Sequence, residues 1–341
     1  MAGMKSSTIK KVIRKKLDDW LSSITDATLK QKLKEELIVS GGCITSMLLD
    51  EKINDYDIYL KNKNTVIDLA NYYINVFNAD VGTLKTYNTH KCNPFLKTEN
   101  RVNIRGEIEE RVIVYMKSAG VSSENQETYQ YFEGASETHA TAFADSLITT
   151  HEDELAQELM EDLEIADNLS EDLNLTTTQI PRTIKKKYRP VFFSENAITL
   201  SDRVQIVLRF YGNPAQIHKN FDFVHCQCYY DYSEDYLSIT KEAYESIISK
   251  ALIYNGSLYP VASIFRIRKF IERGWRITAG QLLKILIQIS KIDLENMSVL
   301  REQLIGVDVA YMHQLLEALK EFDGKKIDAT YLAKVIDKVF E

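Results

Sequence analysis

Leu37-Ile38-Val39-Ser40-Gly41-Gly42-Cys43-Ile44-Thr45-Ser46-Met47, followed by Asn54-Asp55-Tyr56-Asp57-Ile58-Tyr59-Leu60, sets the architecture of this chain. Leu37 to Val39 is a short apolar run that meets a glycine pair, the pattern of a strand entering a tight turn. Ile44, Met47 and Leu48 then recur at helical steps, and Asn54 to Leu60 reads as a second strand. Residues i and i+2 of a strand share a face, so Asp55 and Asp57 are expected to point together, with Tyr56 and Ile58 turned into packing. Two ionised carboxylates held side by side repel unless a cation stands between them. The amides of a glycine turn that opens a helix form a seat for phosphate. A phosphate seat beside metal-binding carboxylates equips a chain for phosphoryl or nucleotidyl transfer.

Far downstream, Asn220-Phe221-Asp222-Phe223-Val224-His225-Cys226 reads as part of an apolar strand, 221–228, that bears a carboxylate. An unpaired carboxylate there is costly. Asp222 is therefore expected to join Asp55 and Asp57 as a metal ligand and catalytic residue around Mg²⁺ or Mn²⁺; the plainer reading is a salt-bridged edge residue. Gly41, Gly42, Thr45 and Ser46 are expected to hold phosphates of an NTP, with ATP favoured. On a predicted helix over 260–273, Arg266, Lys269 and Arg273 share one face by i+3 and i+4 steps, and Arg268 turns away. Base or triphosphate contact is the functional reading of this face, and a solvated basic face the alternative.

Glycine pair, helix, Asp-x-Asp strand and later Asp together resemble the DNA polymerase β-type nucleotidyltransferases, with the head domains of poly(A) polymerases and CCA-adding enzymes as the comparison. Arg266 to Trp275 resembles the arginine-bearing helix that follows such heads, which implies nucleotide contact by Arg266 and Lys269, and the chain as a whole resembles proteins of large tailed bacteriophages. The resemblance implies transfer of NMP from an NTP to an acceptor hydroxyl with release of pyrophosphate. The favoured acceptor is an RNA 3′ end, tRNA included. A protein hydroxyl receiving AMP is the alternative acceptor, and a catalytically silent binding protein is the rival class. CCA-adding heads carry Arg-Asp soon after the glycines, whereas Thr45-Ser46-Met47 stand here, so CCA specificity is not carried over.

The 341 residues are enough for a substantial core and two domains with an insertion. The fold class expected is α+β: a nucleotidyltransferase-type mixed sheet with flanking helices, then an α-helical C-terminal domain. Basic N-terminal helices take 1–36, the catalytic domain 37–117 with 183–232, an acidic insertion 118–182, and the helical body 233–341. The first helix, 7–24, carries Lys10, Lys11, Arg14, Lys15 and Lys16 on a basic outer face. Residues 118–181 hold fifteen Asp or Glu and no Lys or Arg. Without them the net charge of −7 becomes a surplus of eight positive charges, compatible with an anionic partner such as NTP or RNA. Cys43, Cys92, Cys226 and Cys228 follow no disulfide framework, and with His90 and His225 they match no closed zinc pattern. No apolar run reaches membrane-spanning length and no secretion signal is legible, so the expected location is cytoplasmic.

Overall fold

The first helix of the computed structural model, α1 (Ser6–Ser23), buries Ile9, Ile13, Leu17, Trp20 and Leu21, which lie at helical steps along one stripe. The structure describes residues 3–81, 94–115, 187–194, 196–294, 296–304, 330 and 333–334. Trp20 donates its indole N–H to the Tyr73 hydroxyl at 2.8 Å inside the core, tying α1 to α4 (Lys63–Val81). The expected basic outer face of α1 is in part turned inward. Lys10 and Arg14 pair with Asp235 at 3.0 and 3.8 Å, and the Lys16 ammonium lies over the rings of Tyr188 and Tyr56. Long basic side chains cover apolar surface in this way when aromatic faces lie within reach. Asp26 caps α2 (Ala27–Glu36) by accepting from the Leu29 N–H.

α2 runs directly into β1 (Leu37–Ser40), all four residues of which are buried. The chain then turns at Gly41 into α3 (Gly42–Leu49) and returns as β2 (Tyr56–Leu60). A hairpin of β3 (Phe95–Val102) and β4 (Ile108–Tyr115) closes at Asn103–Glu107. Three short strands follow, β5 (Pro190–Phe193), β6 (Ala197–Leu200) and β7 (Val204–Val207). α5 (Pro214–His218) has a capping box between Asn213 and Gln216 and leads to β8 (Tyr229–Asp231) and β9 (Tyr236–Ser238).

Seven strands form one mixed sheet in the order β5-β6-β7-β2-β1-β8-β9, parallel only between β2 and β7. The fold is thus α+β, with a mixed sheet and flanking helices. Tyr56, Ile58 and Leu60 face the main core with Val39 and Tyr230. Ile38, Tyr59 and Ile217 form a smaller cluster on the other face, under α5. This second face carries Asp57, because it alternates with Ile58 along β2.

From 241 onward come α6 (Lys241–Ser249), α7 (Pro260–Glu272), α8 (Ala279–Ile289) and α9 (Met297–Gln303), the second of them close to the helix expected over 260–273. Two short parallel strands, β10 (Ala251–Leu252) and β11 (Arg276–Ile277), interrupt the helical run. The chain divides into two compact units, residues 1–133 with 187–306 and residues 134–186 with 307–341; every element named above belongs to the first. The expected acidic insertion, His90 and Cys92 lie outside the described residues, and beyond 304 the expected helical body is described only at 330 and 333–334, which are helical. Among the described residues no helix is long and apolar enough to cross a membrane.

Candidate functional site

Gly41 makes the turn possible. Its φ of 102° is a region that side chains with a Cβ avoid, and its N–H donates to the Cys226 carbonyl at 3.2 Å. β1 and β2 are antiparallel with Ser40 opposite Asp57, which brings the turn against the carboxylate strand. A Cβ on Gly41 would stand 2.8 Å from Asp57 Oδ2. Gly42, the first residue of α3, is exposed, and a Cβ there would meet nothing within 4 Å. The glycine that geometry requires is therefore Gly41, while Gly42 leaves the helix start open.

Asp55 precedes β2 by one residue and Asp57 lies within it, so the structure brings the two expected carboxylates together. Burial, and then the charge of Asp55, push the Asp57 carboxyl up to about 8. A carboxyl raised so far is one whose charge has no adequate compensation from the protein. Tyr59, two residues on, shares this face and lies against Phe221 with ring centroids 5.8 Å apart.

Asp222 is not on a strand. Phe223 makes a single antiparallel bridge to Tyr254, and Val224–Gln227 is one 3-10 turn, so the chain from 221 to 228 bends where the apolar pattern predicts extension. Asp222 is buried, and its Oδ2 accepts from Arg266 Nη1 at 2.7 Å. Its main-chain carbonyl accepts from the Asn255 N–H at 2.7 Å. The plainer reading of Asp222, a salt-bridged residue, describes this state. Among the described residues no group of three or more His, Cys, Asp or Glu stands in a metal-holding arrangement. The expected three-carboxylate set is thus a pair, Asp55 with Asp57, and a third carboxylate engaged by arginine. Cys226 links the two places. Burial raises its thiol first, and the charges of Asp222 and Asp57 raise it further, while Arg266 opposes them.

Thr45 needs correction. Its one hydroxyl proton goes to the His225 carbonyl at 2.7 Å, so it anchors α3 to the 3-10 turn and has no donor left for a phosphate oxygen. Ser46 is buried beside it. Arg266 is one-third exposed, Lys269 lies exposed one turn further along α7, and Arg273 is bonded to Glu51. Arg268 pairs with Glu272 at 3.3 Å, on the side turned away.

Sequence reasoning missed the Ser40–His218 pair. Ser40 donates its hydroxyl proton to the Cys228 carbonyl at 2.9 Å and lies 2.8 Å from His218 Nε2. With that proton committed, His218 must donate Nε2–H to Ser40, which assigns its tautomer. Burial pushes the His218 imidazole down to about 4, so it is neutral near pH 7. His218 packs against Phe221 and Tyr229, on the sheet face that carries Asp57. No local signal could have found the pair, since its partners are 178 residues apart.

Residues 11–250 match the model of the Gabija anti-defense 2 family protein. The chain belongs to that family. The matched region takes in Gly41, Asp55, Asp57, His218 and Asp222 and ends before Arg266 and Lys269. A curated relative, Gabija anti-defense 2 of Bacillus phage SPbetaL7, is 20% identical over 137 residues, 40% of this chain. The match spans only 34% of that relative's length. No solved structure matches. Family membership overturns the expected identity as a DNA polymerase β-type nucleotidyltransferase with an RNA 3′ end as acceptor, because neither match points to that superfamily. The bacteriophage association stands, since the curated relative is a phage protein.

Proposed function

We propose that the chain is a phage-borne counter to the Gabija defence, acting through the pocket of Gly41, Asp55 and Asp57 on a divalent cation and the phosphates of a nucleotide. One observation carries this reading: Asp57 stands against Gly41, within reach of the Asp55 charge, with its carboxyl raised to about 8. A carboxylate in that state ionises fully only when a positive charge arrives, so cation binding and Asp57 ionisation support each other.

Oxygen-only ligands suit Mg²⁺ or Mn²⁺, with Asp55 and Asp57 holding the ion. When bound, the ion supplies Lewis acidity toward a phosphoryl oxygen. Next to it, the open start of α3 offers main-chain N–H groups and the positive end of the helix dipole to further phosphate oxygens. A nucleoside triphosphate, ATP favoured, is the ligand of this chemistry, and phosphoryl chemistry on it is the enzymatic activity the pocket would support. Gly41 contributes by absence: its missing side chain leaves Asp57 Oδ2 room.

The experiment is a plaque assay on cells carrying the Gabija defence and expressing either this chain or its Asp55→Asn/Asp57→Asn variant. The intact chain should restore phage growth and the variant should not. ATP binding by the purified proteins with Mn²⁺ should be lost in parallel. Full counter-defence by a correctly folded double variant would detach the family's role from this pocket and overturn the reading.

A further inference from the structure

We infer that the outer face of α8 is a peripheral anchor for an anionic lipid surface, one that lays the chain on a membrane without crossing it. The face is independent of the Gly41 pocket, and it lies beyond the region matched to the family, which ends at residue 250.

α8 shows aliphatic side chains to water. Leu282, Leu283, Leu286 and Ile287 are between 40% and 55% exposed, while Ile285 is buried. At roughly 100° per residue the four fall within an arc of about 140°, with Ile285 outside it. The helix cannot roll to hide them, because its inner side is pinned. Gln281 Oε1 accepts from the Tyr254 N–H at 2.9 Å, Gln288 Oε1 accepts from the Tyr254 hydroxyl at 2.6 Å, and the Gln288 amide donates to the Ser257 carbonyl. Large aliphatics clustered on one exposed arc mark a surface that meets another apolar one.

Charge selects the occupant. From 273 to 292 the sequence holds Arg273, Arg276, Lys284 and Lys291 and no Asp or Glu. Arg273 is bonded to Glu51, but among the described residues Arg276, Lys284 and Lys291 have no acidic partner. Glu272, just before the stretch, is paired with Arg268 at 3.3 Å, and Asp293, just after it, is engaged as well. A second copy would bring these cations against their own kind, so the counterpart is both apolar and negative. A protein interface carries about one hydrogen bond per 100–200 Å² and favours Tyr, Trp and Arg at its centre. This arc presents aliphatic carbon: the hydroxyl of Ser290, at its C-terminal end, already donates to the Ile287 carbonyl at 3.0 Å. A bilayer asks for no hydrogen bond from an inserted face and offers anionic headgroups to the flanking cations. The 11 residues of α8 extend about 16 Å, too short to cross a hydrocarbon core of ~30 Å, so the helix lies in the plane of the interface.

The test is co-flotation of the full chain with vesicles of phosphatidylcholine, alone or mixed with phosphatidylglycerol. The native chain should float with the mixed vesicles, less with phosphatidylcholine alone, and less again as salt rises. Leu283→Gln/Leu286→Gln should weaken binding about tenfold or more. Arg276→Gln/Lys291→Gln should weaken it about tenfold and remove the preference for anionic lipid. All four positions are exposed, so circular dichroism should show both variants folded. Failure of the folded native chain to float with either vesicle would overturn the inference and leave an acidic protein surface as the occupant. Unchanged flotation of Leu283→Gln/Leu286→Gln would move lipid binding away from α8 and overturn it as well. A native dimer by sedimentation that turns monomeric in that variant would give the face to a second copy, and resistance of Leu283→Cys to maleimide would show the face already covered within the chain; either result would overturn the lipid anchor.

Discussion

Gly41 and Asp57 meet across the β1–β2 pair so closely that a single methyl group on Gly41 would stand 2.8 Å from the Asp57 carboxylate. The contact joins the turn and the carboxylate strand into one structural unit. It also separates the roles of two adjacent glycines.

Gly41→Ala should therefore be damaging and Gly42→Ala benign. Alanine at φ 102° and ψ −152° occupies an essentially glycine-only region, strained by roughly 1–3 kcal/mol, and its Cβ forces Asp57 to shift. At Gly42 the added Cβ meets nothing and favours the helix by up to about 1 kcal/mol. Chemical denaturation of both variants, with Mn²⁺ titration alongside, checks this. A Gly41→Ala protein as stable and as metal-competent as the native chain would count against the turn's role.

Asp57→Asn should stabilise the protein in the absence of a cation. The native carboxyl is raised from 3.8 to about 8, so the folded state holds a proton that the unfolded state has released, and stability falls as pH rises through that window. Asparagine removes this slope. The variant should gain on the order of a few kcal/mol at pH 8 and little at pH 4. Denaturation midpoints across pH in chelator measure the gain, and a constant difference at all pH values would refute the assignment.

His218→Gln should flatten the acid limb of stability. Neutral His218 is buried with a folded value near 4 against 6.5 unfolded, so its contribution is complete above pH 6.5 and is lost as pH falls toward 4. Glutamine can still donate to Ser40 but takes up no proton. The difference between native and variant midpoints, plotted from pH 7 to 4, should shrink in favour of the variant.

Glu109 holds two buried arginines. Arg111 and Arg209 reach its Oε2 at 2.9 and 3.1 Å with their side chains almost wholly covered. Burial works to raise the Glu109 carboxyl, but the two guanidiniums outweigh it and hold it below the ordinary carboxylate range. Glu109→Gln removes the carboxylate that both arginines share, leaving Arg111 its 3.1 Å pair with Glu302 to offset one of the two charges, and should cost about 3 kcal/mol. Thermal unfolding of the variant reads this directly, and a melting point within a degree of the native one would disprove it.

Strand, glycine turn, helix and carboxylate strand were legible from residues 37 to 60 because each is local: periods of 2 and 3.6 and a glycine pair need no distant partner. The same locality misled at family level. A glycine turn beside paired carboxylates is a short solution to holding phosphate and cation, and unrelated chains share it. What lay beyond the sequence was every relation across long separations. Asp222 reads as a strand residue because alternating apolar neighbours predict extension, yet the chain pairs only at Phe223 with Tyr254 before the 3-10 turn at Val224, and the carboxylate meets Arg266. Thr45 reads as a phosphate donor until His225, 180 residues away, takes its proton. Ser40 and His218 carry no mutual signal at all and meet because α5 folds onto the sheet face opposite the main core. Local periodicity laid down the elements and which faces they bury; the partners of each buried polar group depend on where distant segments pack, since a desolvated donor or charge must bond whatever the completed fold brings within reach.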